Sequence, residues 1–146
     1  MSKYPFERLS EHSKRVLVFA QHEAEEAGSS YIGTEHLLLA MFRLGSGSAH
    51  RALLYLGFDE LRVRGEIEGA RRKVQRRLVE RVIPTSRVKR VIELAFEESV
   101  RAGSATVHSG HLLAGLAKEG EGIAAHVLKA HGAGSKQVCA AVEREV

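Results

Sequence analysis

What the sequence lacks narrows it first. It has a single cysteine, Cys139, so no intramolecular disulfide can brace the fold. It has no tryptophan and only 5% aromatic residues, so its core must come from aliphatic side chains, chiefly Ala, Leu and Val, that let helices approach closely. The two prolines are Pro5 and Pro84, and between them long helices can run unbroken. No stretch reaches the ~18 consecutive apolar residues of a membrane span, and the opening Met1-Ser2-Lys3-Tyr4-Pro5-Phe6 carries no apolar targeting region. A soluble, cytoplasmic protein with no membrane partner is expected. Also missing are a Gly-x-x-x-x-Gly-Lys-Ser/Thr phosphate loop and a Gly-x-Ser-x-Gly nucleophile elbow. Their absence removes P-loop ATP hydrolysis and α/β-hydrolase chemistry from this chain. No catalytic residue and no cofactor are expected.

What is present reads as helices. Ser10 caps a first helix running to about Ala27, with Val16, Leu17, Ala20 and Ala24 at helical spacing. A second helix runs from Thr34, read as its cap, to near Leu44, burying Leu37, Leu38 and Met41. A short third helix spans about 49–56. Asp59 caps a fourth, with Val63, Ile67, Ala70, Val74 and Leu78 on one face, and Pro84 stops it at the latest. Then the pattern returns. Thr85, Ser109 and Ser135 are read as caps of three further helices, with a short one at about 123–131 between the last two.

The return is in register. Lys14-Arg15-Val16 matches Lys89-Arg90-Val91, and His36-Leu37-Leu38 matches His111-Leu112-Leu113. Gly45, Gly47, Ala49, Leu53, Gly57 and Val63 match Gly120, Gly122, Ala124, Leu128, Gly132 and Val138, always at an offset of about 75 residues. This is a duplicated unit. The fold expected is all-α: two tandem four-helix repeats packed as a pseudo-twofold eight-helix domain. A single domain over 1–146 is expected, with repeat one at about 6–70, an inter-repeat segment at about 71–84 and repeat two at about 85–146.

Three groups of side chains are candidates for chemistry. The net charge is only +4, and its one basic cluster is Arg71, Arg72, Lys73, Arg76, Arg77, Arg81, Arg87, Lys89 and Arg90. A solvated helix face is the plain reading and a nucleic-acid interface the alternative, because nucleic-acid binders concentrate positive charge. His108 and His111, with His126 and His131 downstream, lack an evident third ligand, so a metal site is not expected. His111 repeats His36, and a shared structural role, a hydrogen bond from the ring to a backbone carbonyl or to the connector, explains both. Glu35, in the first turn of the second helix, suits either the helix dipole or a bound cation. Ser10, where free N–H groups begin a helix, suits an anion. Spacing alone does not bring the two together.

Phe6-Glu7-Arg8-Leu9-Ser10, Tyr31-Ile32-Gly33-Thr34-Glu35-His36-Leu37-Leu38-Leu39 and Gly45-x-Gly47-x-Ala49 resemble the N-terminal repeat domain of Clp AAA+ unfoldases, most of all the ClpC type. The resemblance covers nearly the whole chain in two copies. It implies a non-catalytic domain that recruits substrate and adaptor proteins to Clp ATPase and protease components. It also implies phosphoarginine binding, at one site per repeat, by a hydroxyl at the start of the first helix and the glutamate of Gly-Thr-Glu-His. Carried over, Ser10 and Glu35, with Thr34, form the first site. The second keeps Thr85 but has Gly110 in place of the glutamate, and is expected to be degenerate. The charged, glycine-free segment 71–82 also departs from the family's linker. Both departures favour a free-standing adaptor or decoy over the N-domain of an intact unfoldase.

Overall fold

Short-range capping chemistry sets most helix boundaries. The computed structural model describes residues 4–72 and 83–146, and among these the chain forms eight α-helices. A 3-10 turn at Phe6–Arg8 leads into α1 (Glu11–Glu26), α2 (Thr34–Leu44), α3 (Ser48–Tyr55) and α4 (Glu60–Arg72). Repeat two is α5 (Ser86–Arg101), α6 (Ser109–Glu119), α7 (Ile123–Ala130) and α8 (Ser135–Glu145). Ser10 Oγ accepts the Ser13 N–H at 3.0 Å, Thr85 Oγ1 the Val88 N–H at 3.2 Å, and Asp59 Oδ2 the Arg62 N–H at 3.0 Å. Each satisfies a donor that the first helical turn leaves open. Val74 and Leu78 of the expected fourth-helix face lie outside the described residues, as do Lys73, Arg76, Arg77 and Arg81.

The centre is α2 against α6. Residues are buried without a break from Thr34 to Phe42 and from Ser109 to Ala117. That explains why both sequences are apolar all round and not along one stripe. Helix α1 covers α2, and α5 covers α6. The third helix of each repeat crosses to the other repeat: α3 packs on α6 and α8, and α7 packs on α2 and α4. The two repeats therefore interlock and share one core.

Two hydroxyls expected to cap their own helices serve this interlock instead. The residue before α2 is Gly33 and the residue before α6 is His108, so Thr34 and Ser109 are each already inside the first turn. Thr34 Oγ1 accepts the Ala124 N–H of α7 at 3.2 Å, and Ser109 Oγ accepts the Ala49 N–H of α3 at 3.0 Å. Each repeat thus caps the other's third helix. Ser135 is not a cap either, because Gly134 holds that position. Thr34→Val keeps the volume but strands the buried Ala124 N–H, so urea unfolding should show a loss of about 1–2 kcal/mol. A loss within error would show that this bond carries no stability.

The connectors interlock too. Tyr31–Ile32 pairs in parallel with Ile83–Pro84, and the Thr85 N–H donates to the Ile32 carbonyl at 3.0 Å. On the other side Leu9 bridges Val107, and the Ser10 N–H donates to the Val107 carbonyl at 3.0 Å. The start of each repeat's first helix is therefore tied to the connector that leads into the other repeat's second helix.

Candidate functional site

That crossing decides which side chains meet. A cavity of about 360 Å³ is lined by Thr34 and Glu35 at the start of α2, Thr85, Ser86 and Arg87 at the start of α5, and Glu121 and Gly122 before α7. Glu35 is only 2% exposed, and its place in the first helical turn suits a negative charge. Its carboxylate folds back over Gly33, where an added Cβ would lie 2.2 Å from Oε1. A side chain at 33 would displace the carboxylate, so glycine is required there by close approach, not by backbone torsion. Arg87 is half exposed and pairs with Glu119 at 3.2 Å. The other oxygen of Glu119 accepts the Glu121 and Gly122 N–H groups at 3.1 and 2.8 Å, which fixes the turn that forms the cavity's far wall. An acceptor group buried at one helix start thus faces a hydroxyl-capped helix start with free N–H donors.

The pseudo-symmetric cavity is smaller, about 180 Å³, and is lined by Ser10, His12, Gly47, Ser48, Arg51, His108, Ser109, Glu145 and Val146. Gly110 occupies the position equivalent to Glu35. Its N–H donates to Ser48 Oγ at 2.7 Å. A Cβ on Gly110 would come within 2.8 Å of Ser48 Oγ, 3.0 Å of Val142 Cγ1 and 3.1 Å of Val146 Cγ2. The space is filled, and His108 stands where Gly33 makes room for a carboxylate in the other copy.

The expected grouping of Ser10 with Glu35 is therefore corrected. Ser10 lines the smaller cavity, whereas Glu35 and Thr85 line the larger of the two. Thr34 and Glu35 thus meet Thr85, and Ser10 meets the helix start that carries Ser109. Ser86, Arg87, Glu121 and Gly122 were not anticipated, because nothing local in the sequence links them to the Glu35 turn.

The two equivalent histidines each hold a helix start. His36 Nδ1 accepts the Gly33 N–H at 2.9 Å, and His111 Nδ1 accepts the His108 N–H at 3.0 Å. The shared role expected for both is present, but the partner is the connector's N–H and not a carbonyl. Among the described residues no group of three His, Cys, Asp or Glu side chains is arranged to hold a metal. Of the basic cluster, Arg71 is mostly buried, pairing with Glu68 at 3.2 Å and the Ala27 carbonyl at 3.2 Å. Arg87 and Arg90 pair with Glu119 and Glu93. These cations are largely neutralised in place. No helix among the described residues is long and apolar enough to cross a membrane.

Residues 8–131 and 83–146 match the Clp repeat (R) N-terminal domain. The chain belongs to that family. It is 41% identical, over 84% of its length, to the negative regulator of genetic competence ClpC/MecB of Bacillus subtilis, of which it covers 15%. It is 37% identical, over 99% of its length, to the chloroplastic chaperone protein ClpC1 of Arabidopsis thaliana, of which it covers 16%. The chain therefore spans only the N-terminal repeat portion of such relatives. In structure it matches the N-terminal domain of the chaperone ClpD from Arabidopsis thaliana with a TM-score of 0.73 at 26% identity, covering 96% of this chain and 98% of that one. The fold extends to the Hsp104 N-terminal domain of Candida albicans, with a TM-score of 0.69 at 14% identity, 92% of this chain and 88% of that chain being covered. The Clp N-domain is non-catalytic, and the ATPase part of the Clp proteins lies outside this chain.

Proposed function

We propose that this Clp N-domain is a protein-recognition module of the Clp chaperone and protease system, recruiting substrate or adaptor proteins, and that it reads phosphoarginine at one site built across the two repeats. The observation that carries this reading is the shared cavity of Glu35 and Thr85. The Glu35 carboxylate takes the guanidinium through charge-assisted hydrogen bonds. The phosphoryl group lies at the start of α5, on the Thr85 hydroxyl and the free N–H groups of the first turn. The second cavity offers the anion half, at Ser10, without the cation half, because Gly110 has no carboxylate. The degenerate second site supports a role as an adaptor or decoy alongside the ATPase, and the site's chemistry is the same if the domain acts within one. Calorimetric titration with free phosphoarginine is expected to give one site per chain and no heat with unmodified arginine. Two equivalent sites, or equal binding of arginine, would overturn the reading.

A further inference from the structure

Repeat two holds a larger cavity, away from the Glu35 site, between α5, α6 and α8. It measures about 540 Å³, and its lining includes Glu98, Arg101, His111, Ala114, Cys139 and Val142. The corresponding cavity in repeat one is about 290 Å³, because longer side chains occupy it. Leu39 stands where repeat two has Ala114, Arg64 where it has Cys139, and Arg71 where it has Val146. Arg64 crosses the space to grip Glu23 at 2.9 and 3.0 Å, and Arg71 reaches the Ala27 carbonyl at 3.2 Å. Shorter side chains at all three positions leave the larger void, whose size falls in the range of small-molecule sites.

His111 gives that void a chemical preference. It is only 2% exposed. Because Nδ1 accepts the His108 N–H, the ring proton sits on Nε2. Burial, reinforced by His108, lowers its pKa to about 4, so the ring is neutral near pH 7 and offers a single donor. Among the described residues that Nε2–H has no partner. A donor that opens onto the cavity without a protein partner suits a guest that supplies an acceptor. The cavity does not call for an ion. Glu98 is already held by Arg101 and Lys118, and the exposed Glu143 is met by Arg101 at 3.4 Å.

We propose that this cavity binds a small neutral carboxamide, its carbonyl oxygen accepting from His111 Nε2–H and its apolar body lying against Ala114, Val142 and Cys139. The charges of Glu98 and Glu143 are met by Arg101 and Lys118, but each carboxylate keeps lone pairs that the N–H groups of a neutral carboxamide can use and that a ketone or ester cannot. The site is independent of the phosphoarginine reading. Three isosteric probes test it on the ¹⁵N-labelled protein: benzamide, benzoate and benzamidine. Benzamide is expected to shift the His111 ring nitrogens and the backbone amides of Gly103 and Cys139, whereas benzoate and benzamidine leave them in place. Ala114→Leu, which restores the residue of repeat one, is expected to fold with an unreduced Tm and to lose the benzamide shifts. Val142→Ile, a milder filling, should weaken them several-fold and serves if the first variant fails to fold. Absence of shifts with benzamide, equal shifts with either charged probe, or shifts that persist in the filled variant would overturn the assignment.

Discussion

Glu35→Ala should abolish phosphoarginine binding, weakening it by at least about 100-fold while the protein remains folded. A carboxylate that meets a guanidinium in two charge-assisted bonds contributes roughly 3 kcal/mol or more, and each 1.4 kcal/mol is about tenfold in affinity. The residue is buried at a helix start and its carboxylate rests on Gly33, so truncation removes the cation receptor of the proposed site. The reverse change, Gly110→Glu, should not create a second site. Ser48 Oγ, Val142 and Val146 already stand within 3.1 Å of the required Cβ, and His108 blocks the path the carboxylate takes in the other copy. Calorimetry on both variants checks this. Wild-type affinity in Glu35→Ala would remove the glutamate from the site.

The second large effect is a loss of stability in mild acid. Burial, then the charge of His108, lowers the His111 pKa from 6.5 to about 4; Glu98 opposes this weakly, and Arg101 and Arg8 add to it. The unfolded chain therefore takes up a proton between these two values that the folded chain refuses, and stability must fall as pH drops through that window. From about pH 7 to pH 5 the expected loss is about 2 kcal/mol from this one ring. Two carboxylates extend the trend. Burial raises the Glu23 pKa, but the hydrogen bonds and charges of Arg64 and Arg43 outweigh it, so the net shift is downward from 4.5. Burial likewise raises Glu98, and Arg101 and Lys118 bring it below 4.5. Their contribution is present above the ordinary carboxylate value and is lost as pH falls through the lowered one. Urea unfolding at a series of pH values should show the decline, and His111→Asn should flatten it between about pH 7 and pH 5. An unchanged slope in that variant would assign the acid sensitivity elsewhere.

Which parts of this were legible in the sequence follows from distance along the chain. Ser10, Asp59 and Thr85 bond to N–H groups three residues away, so local spacing reveals them as caps. Thr34 and Ser109 carry the same hydroxyls, but their partners lie 90 and 60 residues away, and no local pattern shows that. The duplication was readable because most helix signals recur at one offset. The way the copies interlock was not, since either repeat alone would pair Ser10 with Glu35. Parallel pairing of Ile32 with Pro84 exchanges the partners and places Glu35 opposite Thr85. The loss of the glutamate at Gly110 was visible directly. Its physical counterpart, a space already taken by Ser48, Val142 and Val146, required the packing of α8.

The central claim is that one site spans the repeats, and a matched pair of cap deletions tests it most directly. Ser10→Ala and Thr85→Ala each remove an N-cap hydroxyl, at a similar cost of about 1 kcal/mol in stability. Only Thr85 shares a cavity with Glu35. Titration of phosphoarginine into both variants should show binding weakened about tenfold or more in Thr85→Ala and unchanged in Ser10→Ala. Equal weakening in both, or weakening in Ser10→Ala alone, would contradict the crossed site.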